Sequence, residues 1–368
     1  MQKNVLSQKQ AVFILTLFFM GSSLVLGGNT EAKQDSWITV LIAAALFFPM
    51  LIVYARLLGL YPGYGLYEII LDIFGRIAGK ITIFFYVLYS IYLGALVMRN
   101  FSEFLQVVAL PETPQLLSLL TGFLLCAWMT KCGVAVLGKW ARFVFPISVA
   151  ASVFTVILSI KFMDPDHLKP IAATDVGTLM SGSFSLFAFP FAESILFASF
   201  FGSIRTKSKN GPYVIYSGAI LISIVLFLMV TLRNILVLGV PSMMMYYFPS
   251  YEAVSVLSLG DFFTRFEVLI GIVFTFGGFV KISVCIFSAS TGIARLIEVR
   301  NYKNLVIPAG LLMMTLASIL YSNTRQMIDG INTYKYFALP FQVVFPVAIL
   351  IGAEIKTRLK QPVASQGS

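Results

Sequence analysis

A chain of 368 residues that is 58% hydrophobic and only 11% charged cannot hide its apolar surface in a soluble core, where charged residues normally supply about a quarter of the chain. Apolar runs of about 20 residues recur along most of its length, and mean hydropathy is +0.90, so the sequence reads as an all-α polytopic membrane protein. The net charge of +10 reads as an orientation signal rather than a nucleic-acid footprint, because no basic, aromatic-interleaved soluble segment is present.

Chemistry-bearing motifs are scarce. The one histidine, His167 in MDPDHLKP, excludes His-pair metalloenzyme motifs, and the three cysteines form no CxxC. Neither a Walker loop nor a GxSxG elbow occurs. No catalytic residue, metal or cofactor is expected.

The amino-terminal MQKNVLSQKQ runs into the first apolar segment with no small-residue cleavage site, so that segment is expected to stay as a helix. The apolar runs give about ten spans: 9–28, 37–59, 80–107, 115–131, 139–161, 177–201, 212–240, 265–296, 304–321 and 335–355. An even count puts both termini on one side. That side carries 17 cations against four acids (Glu68, Asp72, Glu298 and Glu354), while the other, counted with the outer helix halves, carries eight cations and eleven acids. The positive-inside rule therefore expects both termini in the cytoplasm. In the longest outside connection, 241–264, Pro249 and Ser250 can start a short amphipathic helix presenting Val254, Leu257 and Phe262. The polar tail, 361–368, is expected to be disordered.

Two spans are interrupted. GSSLVLGG, residues 21–28, weakens the first with glycine and serine. At 1.5 Å per residue, Gly21 lies roughly 18 Å from the cytoplasmic end. FAFPFAE, residues 187–193, interrupts the sixth, and Pro190 lies roughly 20 Å from the outer end. The halves, 1–161 and 177–355, hold five spans each. Five is odd, so they cross in opposite senses. Paired breaks in inverted halves point to a midplane binding site. The expected ligand site is Gly21, Ser22, Ser23 and Leu24 of the first break with Phe187, Ala188, Phe189 and Phe191 of the sixth. Tyr89 is a further candidate. It recurs with Tyr86 and Tyr92 at spacing three, for which helix packing is an equal reading.

Glu193 and Lys281 are the deepest charges, each roughly 24 Å from its outer helix end. Similar depth and opposite sign allow a salt bridge, either fixed or sensing ligand or proton. Arg99 and Glu103 are spaced for a helix-face ion pair. Arg233 and Arg265 are expected to anchor at the outer interface.

The same residues carry a resemblance. GSSLV is similar to the broken first helix of the amino acid/polyamine/organocation transporter superfamily, with Ser23 where that pattern has its second glycine. FAFPFAE looks like its sixth-helix motif, with Phe191 in place of a glycine, which should narrow the pocket. In transporters of that fold a sodium ion often sits between the first and eighth helices, so Lys281 would supply that charge from the chain itself. Along nearly the whole length, LSQKQAVFILTLFFMGSSLVLG, DSWITVLIAAALF, YPGYGLYEI, ALPETPQLL, FPSYEAVSVLSLGDFFTRFEVLI and FVKISVCIFSASTGIARLIEVRNYKNLVIPAG resemble the spore-germination permease-like family, the B subunits of bacterial germinant receptors. The resemblance implies a ten-helix, five-plus-five inverted repeat with helices 1 and 6 broken. It also implies a place in the spore inner membrane, and germinant recognition alongside an A subunit and a lipoprotein C subunit. Three functions compete: a receptor subunit that binds a small germinant, an amino-acid permease with the same pocket, and a scaffold without ligand. For the ligand, freed N–H groups at the half-helix N-termini would suit an α-carboxylate. An amino acid is the first choice, a sugar or nucleoside the second.

Overall fold

In the computed structural model, which describes residues 5–24, 30–109, 111–206, 208–257 and 265–360, the apolar runs are helices. Ser7 and Gln10 start the first with a reciprocal cap: Gln10 N–H donates to Ser7 Oγ at 3.3 Å and Ser7 N–H to Gln10 Oε1 at 2.9 Å. That helix, α1 (Gln8–Met20), stops after 13 residues at Gly21. There follow α2 (Ser36–Leu60), α3 (Leu66–Phe104), α4 (Gln115–Cys132), α5 (Val134–Ser159), α6 (Val176–Leu186) and α7 (Gly211–Met245). The chain continues through α8 (Pro249–Ser255), α9 (Val268–Leu296), α10 (Val306–Ile319), α11 (Thr324–Leu339) and α12 (Phe345–Lys360). Among the described residues, nine helical stretches are long and apolar enough to cross a membrane, and α1 is a shorter apolar helix beside them.

Two spans are longer than their apolar runs suggest. α3 begins at Leu66 rather than 80, because a helical turn bearing Glu68 and Asp72 precedes a kink at Gly75, whose φ of 72° favours glycine. The last span begins at Thr324 rather than 335 and passes through a widened turn at Pro340–Val344 into α12. In both, helix continues into polar sequence beyond the hydrocarbon region, which a hydropathy window does not register.

Two short strands fix the relative sense of the broken helices. β1 (Leu6–Ser7) pairs in parallel with β2 (Ile204–Arg205), Leu6 opposite Ile204 and Ser7 opposite Arg205. The start of span one and the end of span six therefore share a side, and the two cross in opposite directions. Ion pairs cluster on that same side: Arg56–Glu354 at 2.6 Å, Arg76–Glu298 at 2.7 Å, Lys80–Glu298 at 2.8 Å, Lys356–Asp72 at 2.9 Å, and Arg295–Glu68. Exposed pairs of this kind contribute little energy each, but together they join α2, α3, α9 and α12.

The connection between α7 and α9 holds α8, whose Val254, together with Leu257 just after it, is buried against Phe104, Ile270 and Phe274. Phe262 and the tail at 361–368 lie outside the described residues. Arg265 is exposed and sits 3.5 Å from Glu267. Arg233 is not an interfacial anchor: its side chain is 0% exposed. Asn234, the next residue on α7, is hydrogen-bonded to Ser250 of α8, so the outer connection folds over the helix at this level.

Candidate functional site

Pro190 has no N–H to donate and clashes with the turn before it, so helix six cannot continue through it. The chain widens over Phe187–Phe191, with Phe189 leaving helical geometry (φ −137°, ψ 100°), and then winds more tightly through Ala192–Ser203. The carbonyls this frees need donors inside a bilayer. Gln342 Nε2 donates to Ala188 O at 2.8 Å, and Tyr216 Oη to Ser194 O at 3.0 Å. Tyr54 Oη lies between the carbonyls of Gln342, at 2.5 Å, and Ala192, at 3.1 Å. Sequence reading missed Gln342, Tyr54 and Tyr216. The one available signal was a lone glutamine in the apolar run LPFQVVFP.

The first break is held from below. Gly21 N–H donates to Leu17 O at 2.9 Å and Leu24 N–H to Met20 O at 3.0 Å, while Ser22, Ser23 and Leu24 are buried. Asn100 Nδ2 approaches Ser22 Oγ at 3.5 Å, a long contact. Two glycines bring α9 against this turn. A Cβ on Gly277 would meet Gly21 N at 2.8 Å, and one on Gly21 would meet Lys281 Cδ at 2.9 Å.

Lys281 and Glu193 lie together between the two breaks. Lys281 Nζ is 2.5 Å from Glu193 Oε2, and both side chains are 0% exposed. The ammonium also stands 4.0 Å from the ring centre of Phe189 and 5.2 Å from that of Phe18, so it touches both interrupted helices. None of the three charged-group atoms, Oε1, Oε2 or Nζ, completes a well-aligned hydrogen bond among the described residues. The contact is one of charge on charge. The phenols of Tyr334 and Tyr89 are within electrostatic reach of Glu193. Their hydroxyls are 2.8 Å apart, and Gln342 Nε2 donates to Tyr89 Oη at 2.8 Å. Beside the ion pair, one hydrogen-bonded chain thus runs from Tyr334 through Tyr89 and Gln342 to Ala188 O.

The expected site residues divide on this geometry. Gly21, Ala188, Phe189, Glu193, Lys281 and Tyr89 surround the charge pair or its polar chain. Ser22, Ser23 and Leu24 form the turn beside it. Phe187 stacks on Phe184, with ring centres 5.7 Å apart. Phe191 sits among Phe19, Phe47 and Phe227, at 5.7, 6.0 and 5.8 Å, on the side of α1, α2 and α7. Nearby, Arg99 meets Glu103 at 2.7 Å, and Glu103 accepts from Gln115 at 2.9 Å and Thr324 at 2.6 Å, joining α3, α4 and α11.

A family model described as spore germination protein matches residues 5–351. The chain belongs to that family. It is 26% identical over 369 residues to spore germination protein KB of Bacillus subtilis, covering 98% of both chains. It is 23% identical over 362 residues to spore germination protein GerQB of Bacillus cereus, covering 94% of this chain and 95% of that one. Among solved structures it is similar to Mhp1, a nucleobase-cation-symport-1 family transporter, in a closed conformation with bromovinylhydantoin bound. The TM-score is 0.71 at 11% identity, over 95% of this chain and 78% of that one.

Proposed function

We propose that this chain is the ligand-sensing membrane subunit of a spore germinant receptor. It binds a small nutrient germinant between the first and sixth helices and passes the signal to an A subunit and a lipoprotein C subunit. The observation that carries the reading is Lys281, which contacts Phe18 of α1 while pairing with Glu193 and covering Phe189 of the sixth span. A ligand that separates the two half-helices must disturb this pair, and a buried pair resists being split. Binding is thereby tied to a change in how the halves pack. An amino acid is the favoured ligand, followed by a sugar or nucleoside. The basic terminus side faces the cytoplasm, which in the spore is the core, and the membrane is the spore inner membrane.

The alternative is an amino-acid permease. The likeness in fold to a nucleobase-cation symporter favours it. Against it, Phe191 stands where the superfamily pattern has a glycine and is locked among three aromatic rings. A thermal-shift screen of the purified protein against amino acids, sugars and nucleosides tests the first reading, and the absence of any specific hit would refute it. Uptake of a radiolabelled hit into proteoliposomes separates carrier from receptor: a receptor holds no more label than its own bound ligand, while a carrier fills the lumen.

A further inference from the structure

Among the described residues four cations are buried within the membrane-crossing helices: Arg99, Arg233, Lys281 and Lys335. Three are matched. Lys281 meets Glu193 at 2.5 Å, Arg99 meets Glu103 at 2.7 Å, and Lys335 donates to Ser181 Oγ at 2.8 Å. Arg233 on α7 is 0% exposed, yet among the described residues no acceptor engages its Nε, Nη1 or Nη2. A guanidinium does not give up its proton under any condition a cell meets, so it cannot escape the penalty of burial by becoming neutral. A charge inside a membrane protein marks a functional site by default, and a buried one needs a counter-charge.

The place of Arg233 suggests what supplies that charge. Three residues further along α7, Leu236 O accepts the N–H of Asp164 at 2.9 Å. Asp164 belongs to the connection between spans five and six, so Arg233 lies about one helical turn beneath the outer loops. Among the described residues, three carboxylates of neighbouring outer elements have partners of their own, and Asp261 lies outside the described residues. Asp166 pairs with Lys169 at 2.8 Å, Asp164 accepts the Asp166 N–H at 2.9 Å, and Glu252 of α8 takes the Ser255 hydroxyl at 3.3 Å. Next to Arg233, Asn234 Nδ2 donates to Ser250 Oγ at 2.9 Å, and Ser250 donates to Leu24 O at 2.9 Å. The arginine's turn is therefore tied through α8 to Leu24 of the first-helix break.

We propose that Arg233 is the core of a binding site for a small monoanion, the carboxylate of an organic molecule or a halide, beneath α8 and on the side of Leu24. The anion completes the charge pairing that the described residues leave open. It also favours the packing in which Asn234, Ser250 and Leu24 are joined. The site is separate from the germinant site proposed above and does not depend on which germinant binds there.

The test is thermal unfolding of the purified full-length chain in detergent at constant ionic strength. Sodium gluconate, a bulky hydroxylated anion, is replaced stepwise by sodium acetate in one arm and sodium chloride in the other. The expected result is a saturating rise of at least about 2 °C in one or both arms. Response to acetate alone identifies a carboxylate site, and response to chloride identifies a halide-sized one. Arg233→Gln should abolish the rise. Arg233→Lys keeps the charge but loses the planar fork, so it should shift the half-saturating concentration up about tenfold. If Arg233→Gln does not accumulate as folded protein, the lysine variant alone decides. Flat curves for the unaltered chain, a rise that persists in Arg233→Gln, or an unchanged half-saturation in Arg233→Lys each overturn the proposal. None of these results depends on a germinant, so failure here leaves the germinant reading standing, and the reverse holds too.

Discussion

Neutralising one member of the Glu193–Lys281 pair should cost far more than neutralising both. Both side chains are 0% exposed and the charged atoms are 2.5 Å apart. Removing one partner from such a pair leaves a lone buried charge, at a cost of about 3–5 kcal/mol. The two single variants should not be equal. In Glu193→Gln the ammonium keeps the rings of Phe189 at 4.0 Å and Phe18 at 5.2 Å, and a desolvated cation over an aromatic face recovers about 2 kcal/mol. The net loss is then about 1–3 kcal/mol. In Lys281→Met the glutamate has no ring to replace its partner but can take up a proton, which limits the loss to about 3 kcal/mol near neutral pH. Methionine keeps the aliphatic stem that packs beside Gly21, so packing loss adds little. The double variant removes both charges and should recover all but about 1 kcal/mol, giving a coupling energy of roughly 3 kcal/mol or more. Unfolding free energies of all four proteins in mixed detergent micelles measure this. Single effects that add to within about 0.5 kcal/mol would refute the pairing.

Gly277→Ala puts a Cβ 2.8 Å from Gly21 N and should destabilise by about 1–3 kcal/mol. Gly122→Ala, whose nearest neighbour would be 3.7 Å away, should not lower the unfolding midpoint; equal losses would show that the close approach of α9 to the first break is unimportant. Hydrogen bonds from Lys80, and then Arg76, hold the Glu298 carboxyl below its ordinary 4.5. Its contribution to stability is therefore present above that value and is lost as pH falls through the lowered one. The gap in unfolding midpoint between the unaltered chain and Glu298→Gln should narrow as pH falls below 4.5, close once the carboxyl is protonated, and shrink in high salt, and a constant gap would count against it. A cysteine at Lys356 should be shielded from an impermeant thiol reagent in intact cells while one at Asp166 reacts; the opposite pattern would reverse the proposed orientation.

What could be read from the sequence was whatever depends on distance along a helix. Residue counting placed Glu193 and Lys281 at equal depth, and the fold brings them into contact. It likewise placed the two breaks near the membrane middle. Facing direction was another matter. Which way Phe191 points depends on how wide the turn around Pro190 opens, and that turn sends the ring toward Phe19 and Phe47. The donors that close the sixth-helix break come from residues as distant in sequence as Gln342, whose partner is Ala188. Only the packing of the last span against the sixth reveals that bond. Arg233 stood at the right depth for an interfacial anchor. Its burial comes from the outer connection folding over α7, which no periodicity within that helix announces.

The most direct test of the central claim is equilibrium binding of the strongest hit from the nutrient screen to the unaltered protein, Ser22→Ala and Ser22→Trp. Membrane level and unfolding midpoint without ligand serve as controls. Ser22 lies in the first break beside the buried ion pair, so the account predicts near-normal affinity for the alanine variant. It predicts at least a tenfold loss for the tryptophan variant in protein that is otherwise folded. Undiminished binding to folded Ser22→Trp would contradict it and place the ligand elsewhere.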